Sequence, residues 1–126
     1  METLTIYTLS NCDTCRRAIK WLRANGITFV ERPIRETPPS LAELERMQAA
    51  YDGETRPLFN TSGRDYRDQK IAEQLPRLSE KEVLGLLAKN GNLVKRPFLI
   101  GKGVARVGFN EKQWAGDFAA SKEGRK

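Results

Sequence analysis

Cys12 and Cys15 are the only cysteines in this 126-residue sequence, which contains no histidine. A C-x-x-C pair can carry out thiol–disulfide exchange. One thiolate attacks a disulfide, and the second thiol displaces the product from the mixed disulfide. The pair sits in Thr8-Leu9-Ser10-Asn11-Cys12-Asp13-Thr14-Cys15-Arg16-Arg17, where an apolar strand pattern gives way to an amphipathic helix. That places Cys12 at or near a helix N-terminus, where free N–H groups and the macrodipole favour a thiolate. Arg16 and Arg17 add positive charge, Asp13 opposes them, and no imidazole is present to act as a base. Two other readings stand beside this one. Cysteine is among the most buried residue types, so the pair could be core filler. A C-x-x-C is also half of a zinc site, but only carboxylates remain to complete one, so no metal is expected.

The elements around the pair follow from periodicity. Leu4-Thr5-Ile6-Tyr7-Thr8 has the β-branched and aromatic character of a buried strand. Cys15, Ala18, Ile19 and Leu22 recur at helical spacing, and Gly26 is a natural stop. Ile27-Thr28-Phe29-Val30-Glu31 is a second strand, expected to lie parallel to the first across the helix. Residues 32–39, with three prolines, form a linker. Ser40-Leu41-Ala42-Glu43 and Ser79-Glu80-Lys81-Glu82 are capping boxes opening two helices, with Leu78 and Val83 placed as a hydrophobic staple on the second. Between them, a loop over residues 56–67 feeds a short helix that runs to Leu75 and ends at Pro76. Two strands, Leu93 to Ile100 and Val104 to Val107, flank Gly101-Lys102-Gly103, and Asn110 caps a last helix carrying Trp114. The order is β-α-β, a helical insertion over about 40–92, then β-β-α. The expected class is α/β, one domain over 1–118, with a disordered basic tail over 119–126.

Net charge is +6, with basic and acidic residues interspersed. The excess permits an anionic partner, but no basic stripe interleaved with aromatics marks the chain as a nucleic-acid binder. No apolar run spans a membrane and no signal segment precedes the first strand, so the expected setting is the reducing cytoplasm, as a monomer with no membrane contact.

A C-x-x-C after the first strand, a proline before the third and β-α-β/β-β-α order make up the arrangement of the thioredoxin fold, with a mixed four-stranded sheet flanked by helices. Leu58-Phe59-Asn60-Thr61-Ser62-Gly63, Arg96-Pro97-Phe98-Leu99-Ile100 and Val107-Gly108-Phe109-Asn110-Glu111 narrow this further. Over about residues 3–118 the sequence resembles the arsenate reductase (ArsC)/Spx family. The resemblance implies that Cys12 is the nucleophile, that Arg96 faces it and binds an oxyanion, and that the Arg96–Pro97 peptide is cis. Taken from the residues alone, the alternatives are that Arg96 is a surface ion-pairing group and Pro97 a plain turn at a strand start. Asn11, Thr14, Arg16, Asn60 and Pro97 are the candidate residues for holding the co-substrate. No bound cofactor is expected; glutathione or a glutaredoxin is the expected reductant.

The sequence also departs from the family. Where arsenate reductases bring two further arginines to the pocket, this chain has Asn60 and Phe109, with Arg64 and Arg106 as nearby substitutes. Tyr66, Arg64 and Arg67 either border the pocket or form a solvated helix face. Three functional readings result: a glutathione- or glutaredoxin-linked thiol–disulfide oxidoreductase, with arsenate reductase proper as a variant; an Spx-like redox regulator gripping the RNA polymerase α subunit through a Cys12–Cys15 switch; or a family member without a catalytic role. Cys15 makes internal resolution of an adduct on Cys12 available in the first.

Overall fold

The computed structural model of the protein describes residues 3–123, with side chains described through Ala119. Its contacts form two compact units: one runs to Arg32 and resumes at Arg96, and the other is Pro33–Lys95. No helix among the described residues is long and apolar enough to cross a membrane.

The first unit holds a mixed four-stranded sheet in the order β2-β1-β3-β4. Strands β1 (Thr5–Thr8) and β3 (Phe98–Gly101) are buried along their whole length and pair antiparallel, with Ile6 opposite Leu99 and Tyr7 opposite Phe98. Strand β4 (Val104–Val107) pairs antiparallel with β3 through a two-residue turn, Lys102-Gly103. Both turn residues have positive φ, 53° and 80°, as the tight turns that match strand twist require. Helix α1 (Asp13–Ala24) ends in a Schellman motif: Gly26 takes φ 66°, its N–H reaches the Arg23 carbonyl, and Ile27 N–H reaches that of Leu22. That cap uses Ile27, so the edge strand β2 (Val30–Pro33) starts three residues later than the expected Ile27.

Leu4, Ile6, Ala18, Leu22, Leu99, Val104 and Trp114 form the core of this unit, with Trp21, Phe109 and Phe118 packed against it. Helix α6 (Glu111–Glu123) starts where the Gln113 N–H donates to Asn110 Oδ1 at 2.9 Å. The expected disordered tail is corrected over residues 119–123, which continue α6; residues 124–126 lie outside the described residues.

In the second unit, Ser40 and Ser79 make the two expected capping boxes, at the starts of α2 (Leu41–Ala50) and α5 (Glu80–Lys89). The single helix expected up to Leu75 is two: α3 (Arg64–Asp68) and α4 (Ile71–Gln74), separated by Lys70 at φ 51°. The expected linker is not loose either, for Ile34 is fully buried and Thr37 is tied to the Pro33 carbonyl through its N–H and hydroxyl. Val94 and Lys95, expected in the third strand, instead meet the 58–60 segment: Lys95 N–H donates to Leu58, and Asn60 N–H to Leu93, both at 2.8 Å. Pro97 has no N–H to offer a ladder, and the sheet strand begins after it.

Candidate active site

Strand β1 delivers the chain to the sheet end, and residues 9–12 turn it into α1. The Cys12 N–H donates to the Leu9 carbonyl at 3.1 Å, and Cys12 becomes the N-cap with extended backbone, φ −97° and ψ 110°. Its side chain takes the role Ser or Asp usually fills, since Sγ accepts the Cys15 backbone N–H at 3.2 Å. The helix start therefore holds the Cys12 sulfur against a backbone donor while the residue stays half-exposed. Both thiols are free.

Cys15, three residues on, faces inward and is 2% exposed. Burial foremost, then the hydrogen bond its thiol makes with the Cys12 side chain, pushes its pKa from the ordinary 9.0 up to about 12. The Leu9 backbone and the Arg96 charge pull the other way without offsetting them. The two cysteines thus differ in kind: one is accessible and hydrogen-bonded, the other sealed and held protonated.

Arg96 is half-buried and precedes a cis peptide bond to the buried Pro97, whose carbonyl accepts the Gly108 N–H at 2.9 Å. Its charge acts on Cys15, which brings it into the neighbourhood of the pair. Arg16 reaches back to the Ser10 carbonyl at 3.5 Å, on the loop before Cys12. Arg17 and Asp13, weighed separately in the sequence, are an exposed ion pair at 3.5 Å. Asn11 is exposed and Thr14 half-buried on either side of Cys12.

Asn60 belongs to the second unit, where its carbonyl accepts the Gly63 N–H at 3.0 Å and its Oδ1 accepts the Ser62 hydroxyl at 3.4 Å. Arg106 does not stand free to replace a missing arginine: it grips Asp117 with two bonds of 2.7 and 3.0 Å. Phe109 packs edge-on against Trp114, with ring centroids 4.8 Å apart, and against Trp21. Tyr66 fits neither expectation set for it, being buried in the second unit against Phe59.

Sequence reasoning missed a groove of about 360 Å³ beside Cys15, between α1 and the β2 edge. Lys20 and Arg23 line it together with Arg16, and Glu31 accepts the Thr8 hydroxyl at 2.6 Å on its opposite wall. The signal was present in the spacing of three cations at i, i+4 and i+7.

Known proteins are similar to this chain in sequence and fold. YusI of Bacillus subtilis is 40% identical over 117 residues, covering 93% of this chain and 99% of that protein. The global transcriptional regulator Spx of Enterococcus faecalis is 33% identical over 110 residues, covering 87% and 82%. Among solved structures, an ArsC family related protein from Bacteroides fragilis superposes with a TM-score of 0.82 at 34% identity, over 90% of this chain and 95% of that one. A Streptococcus mutans protein described as a possible arsenate reductase gives 0.81 at 30% identity, over 91% and 99%. The ArsC family profile matches residues 7–116, from within β1 to within α6, a span that takes in the four-stranded sheet and α1: the chain belongs to the ArsC family.

Proposed function

We propose that this chain is a cytoplasmic thiol–disulfide oxidoreductase of the ArsC family, with Cys12 as nucleophile and Cys15 as resolving thiol. The observation that carries the reading is the asymmetry of the pair. Cys12 is half-exposed with its sulfur on a backbone N–H, whereas Cys15 is buried and held as the thiol. The Cys12 thiolate attacks a disulfide, forms a mixed disulfide and expels one thiolate. Bonded to sulfur, Cys12 is a weaker hydrogen-bond acceptor, so one of the two main causes that hold the Cys15 proton is relieved. Cys15 then gives up its proton to water and attacks Cys12 Sγ, expelling the second thiolate. Two electrons have left the dithiol, and a Cys12–Cys15 disulfide remains for glutathione or a glutaredoxin to reduce. Arg96, whose charge opposes protonation of Cys15, assists this second step.

The test is to mix reduced protein with glutathione disulfide and follow adducts by mass spectrometry. Wild type passes through a transient adduct on Cys12 to the internal disulfide. Cys15→Ser accumulates the adduct, and Cys12→Ser forms none. Arg96→Ala slows the resolving step roughly two- to tenfold, so the adduct lingers. Adducts on Cys15 in the wild type, or no reaction at all, would sink the reading. Arsenate turnover is expected to be weak, because the chain has Asn60 and Phe109 at the sequence positions where the resemblance implies arginines, and Arg106 is engaged by Asp117.

Several Spx regulators at 31–33% identity favour a second reading, a redox switch that binds the RNA polymerase α subunit. Binding of the α subunit's C-terminal domain in one redox state only, without turnover of disulfides, would replace the first reading with this one.

A further inference from the structure

The groove between α1 and the β2 edge is built differently from the solvated face that a charged helix usually presents. Leu9 and Ile19 give its lining apolar surface, and Cys15 also lines it. Along its rim, Arg16, Lys20 and Arg23 occupy one side of α1, and among the described residues none of them has a carboxylate partner. Arg16 turns to a backbone carbonyl, and Arg23 lies 5.9 Å above the Phe29 ring. The single acid in the groove, Glu31, accepts the Thr8 hydroxyl and pairs with none of the three cations. Three cations against one carboxylate leave the groove with an excess of positive charge, which attracts an anion.

The spacing selects the shape of the anion. Seven residues of helix separate Arg16 from Arg23, a rise of about 10 Å. An extended peptide covers that distance in roughly three residues, with side chains on one face about 7 Å apart. Consecutive rim cations lie about 6 Å and 4.5 Å apart along the axis, within the reach of flexible Arg and Lys side chains.

We infer that this groove binds a short, acidic, extended peptide segment of a partner protein, seated along α1 with its carboxylates on Arg16, Lys20 and Arg23. The inference deepens the reading of the dithiol, on which it rests for its purpose, by giving the chemistry of the protein that exchanges with it. A segment bound there runs alongside the resolving cysteine, so partners with acidic residues flanking their reactive cysteine are preferred over neutral ones.

The experiment is a titration of isotope-labelled Cys12→Ser protein with acetyl-tetraglutamate amide at low salt, followed by amide NMR shifts. The peptide carries no sulfur and Cys12→Ser removes the half-exposed thiol, so binding is read apart from exchange chemistry. The expected result is a set of shifts confined to α1 and the strand at Glu31. They weaken with added salt and are absent with acetyl-tetraglutamine amide. Lys20→Ala and Arg23→Ala each weaken binding roughly two- to fivefold, and the Lys20→Glu/Arg23→Glu double variant abolishes it. Both positions are exposed, so the folded spectrum of the variants confirms that the loss is local. No shifts, shifts that persist in the double variant, or equal shifts with citrate would each overturn the inference, the last because the groove would then take any small polyanion. If disulfide exchange fails in the wild type while the peptide still binds, it is the dithiol reading that falls and the groove that stands.

Discussion

Cys15 is almost sealed from water, and that has a cost at alkaline pH which the unfolded chain does not share. In the unfolded state its thiol ionises near the ordinary 9.0, while in the folded state it keeps its proton to about 12. The stability this group confers is complete below pH 9 and is lost as pH climbs through that interval, because proton release then favours the unfolded chain. The slope reaches at most about 1.4 kcal/mol per pH unit. Unfolding free energies from urea titrations between about pH 8 and about pH 10 should fall further in wild type than in Cys15→Ala, by roughly 1 kcal/mol in total. The setting of the cysteine pair at a strand-to-helix junction was legible in the sequence from residue type and spacing, whereas Arg96 was singled out only through the family resemblance. The difference in burial between the cysteines was only half legible, since three-residue spacing puts Cys15 near Cys12 but its depth is set by packing. Arg106 and Phe109 were harder still: their engagement by Asp117 and Trp114 joins residues that composition cannot pair.

Helix starts were the easiest elements to read. Both capping boxes close with serine oxygens accepting from Glu43 and Glu82 N–H, each at 3.2 Å. Ser40→Ala and Ser79→Ala should each cost about 1 kcal/mol of stability, measured by denaturant unfolding. The break between α3 and α4 was illegible because Lys70 adopts a left-handed backbone that only a glycine or asparagine would have announced. Gly91 is a different case, with an ordinary backbone but no space: a Cβ there would run into the Ile34 carbonyl. Gly91→Ala should therefore destabilise the second unit by roughly 1–3 kcal/mol. Asp65, held below the usual carboxylate range by the Asn90 and Asn92 amides, ties α3 to the same turn. Its contribution is present at neutral pH and disappears as pH drops through the carboxylate range, an effect that Asp65→Asn should remove from acid titrations of stability.

At the scale of the whole molecule, the sequence order β-α-β, helices, β-β-α was readable because each half has its own hydrophobic period. The boundaries of the helical unit, Pro33 and Lys95 rather than about 40 and 92, were not, because residues such as Ile34 and Val94 bury themselves through contacts distant in sequence. The aromatic cluster of the first unit has a practical result. Trp21 and Trp114, 6.0 Å apart and nearly perpendicular, are the chain's only tryptophans, and both lie in the unit that carries the dithiol. The helical unit holds no tryptophan; its aromatic residues are Tyr51, Phe59 and Tyr66. Indole emission is therefore an optical tag already fitted to one half: it should follow oxidation of the cysteines on the helix that bears Trp21, and stay dark to events confined to the other half.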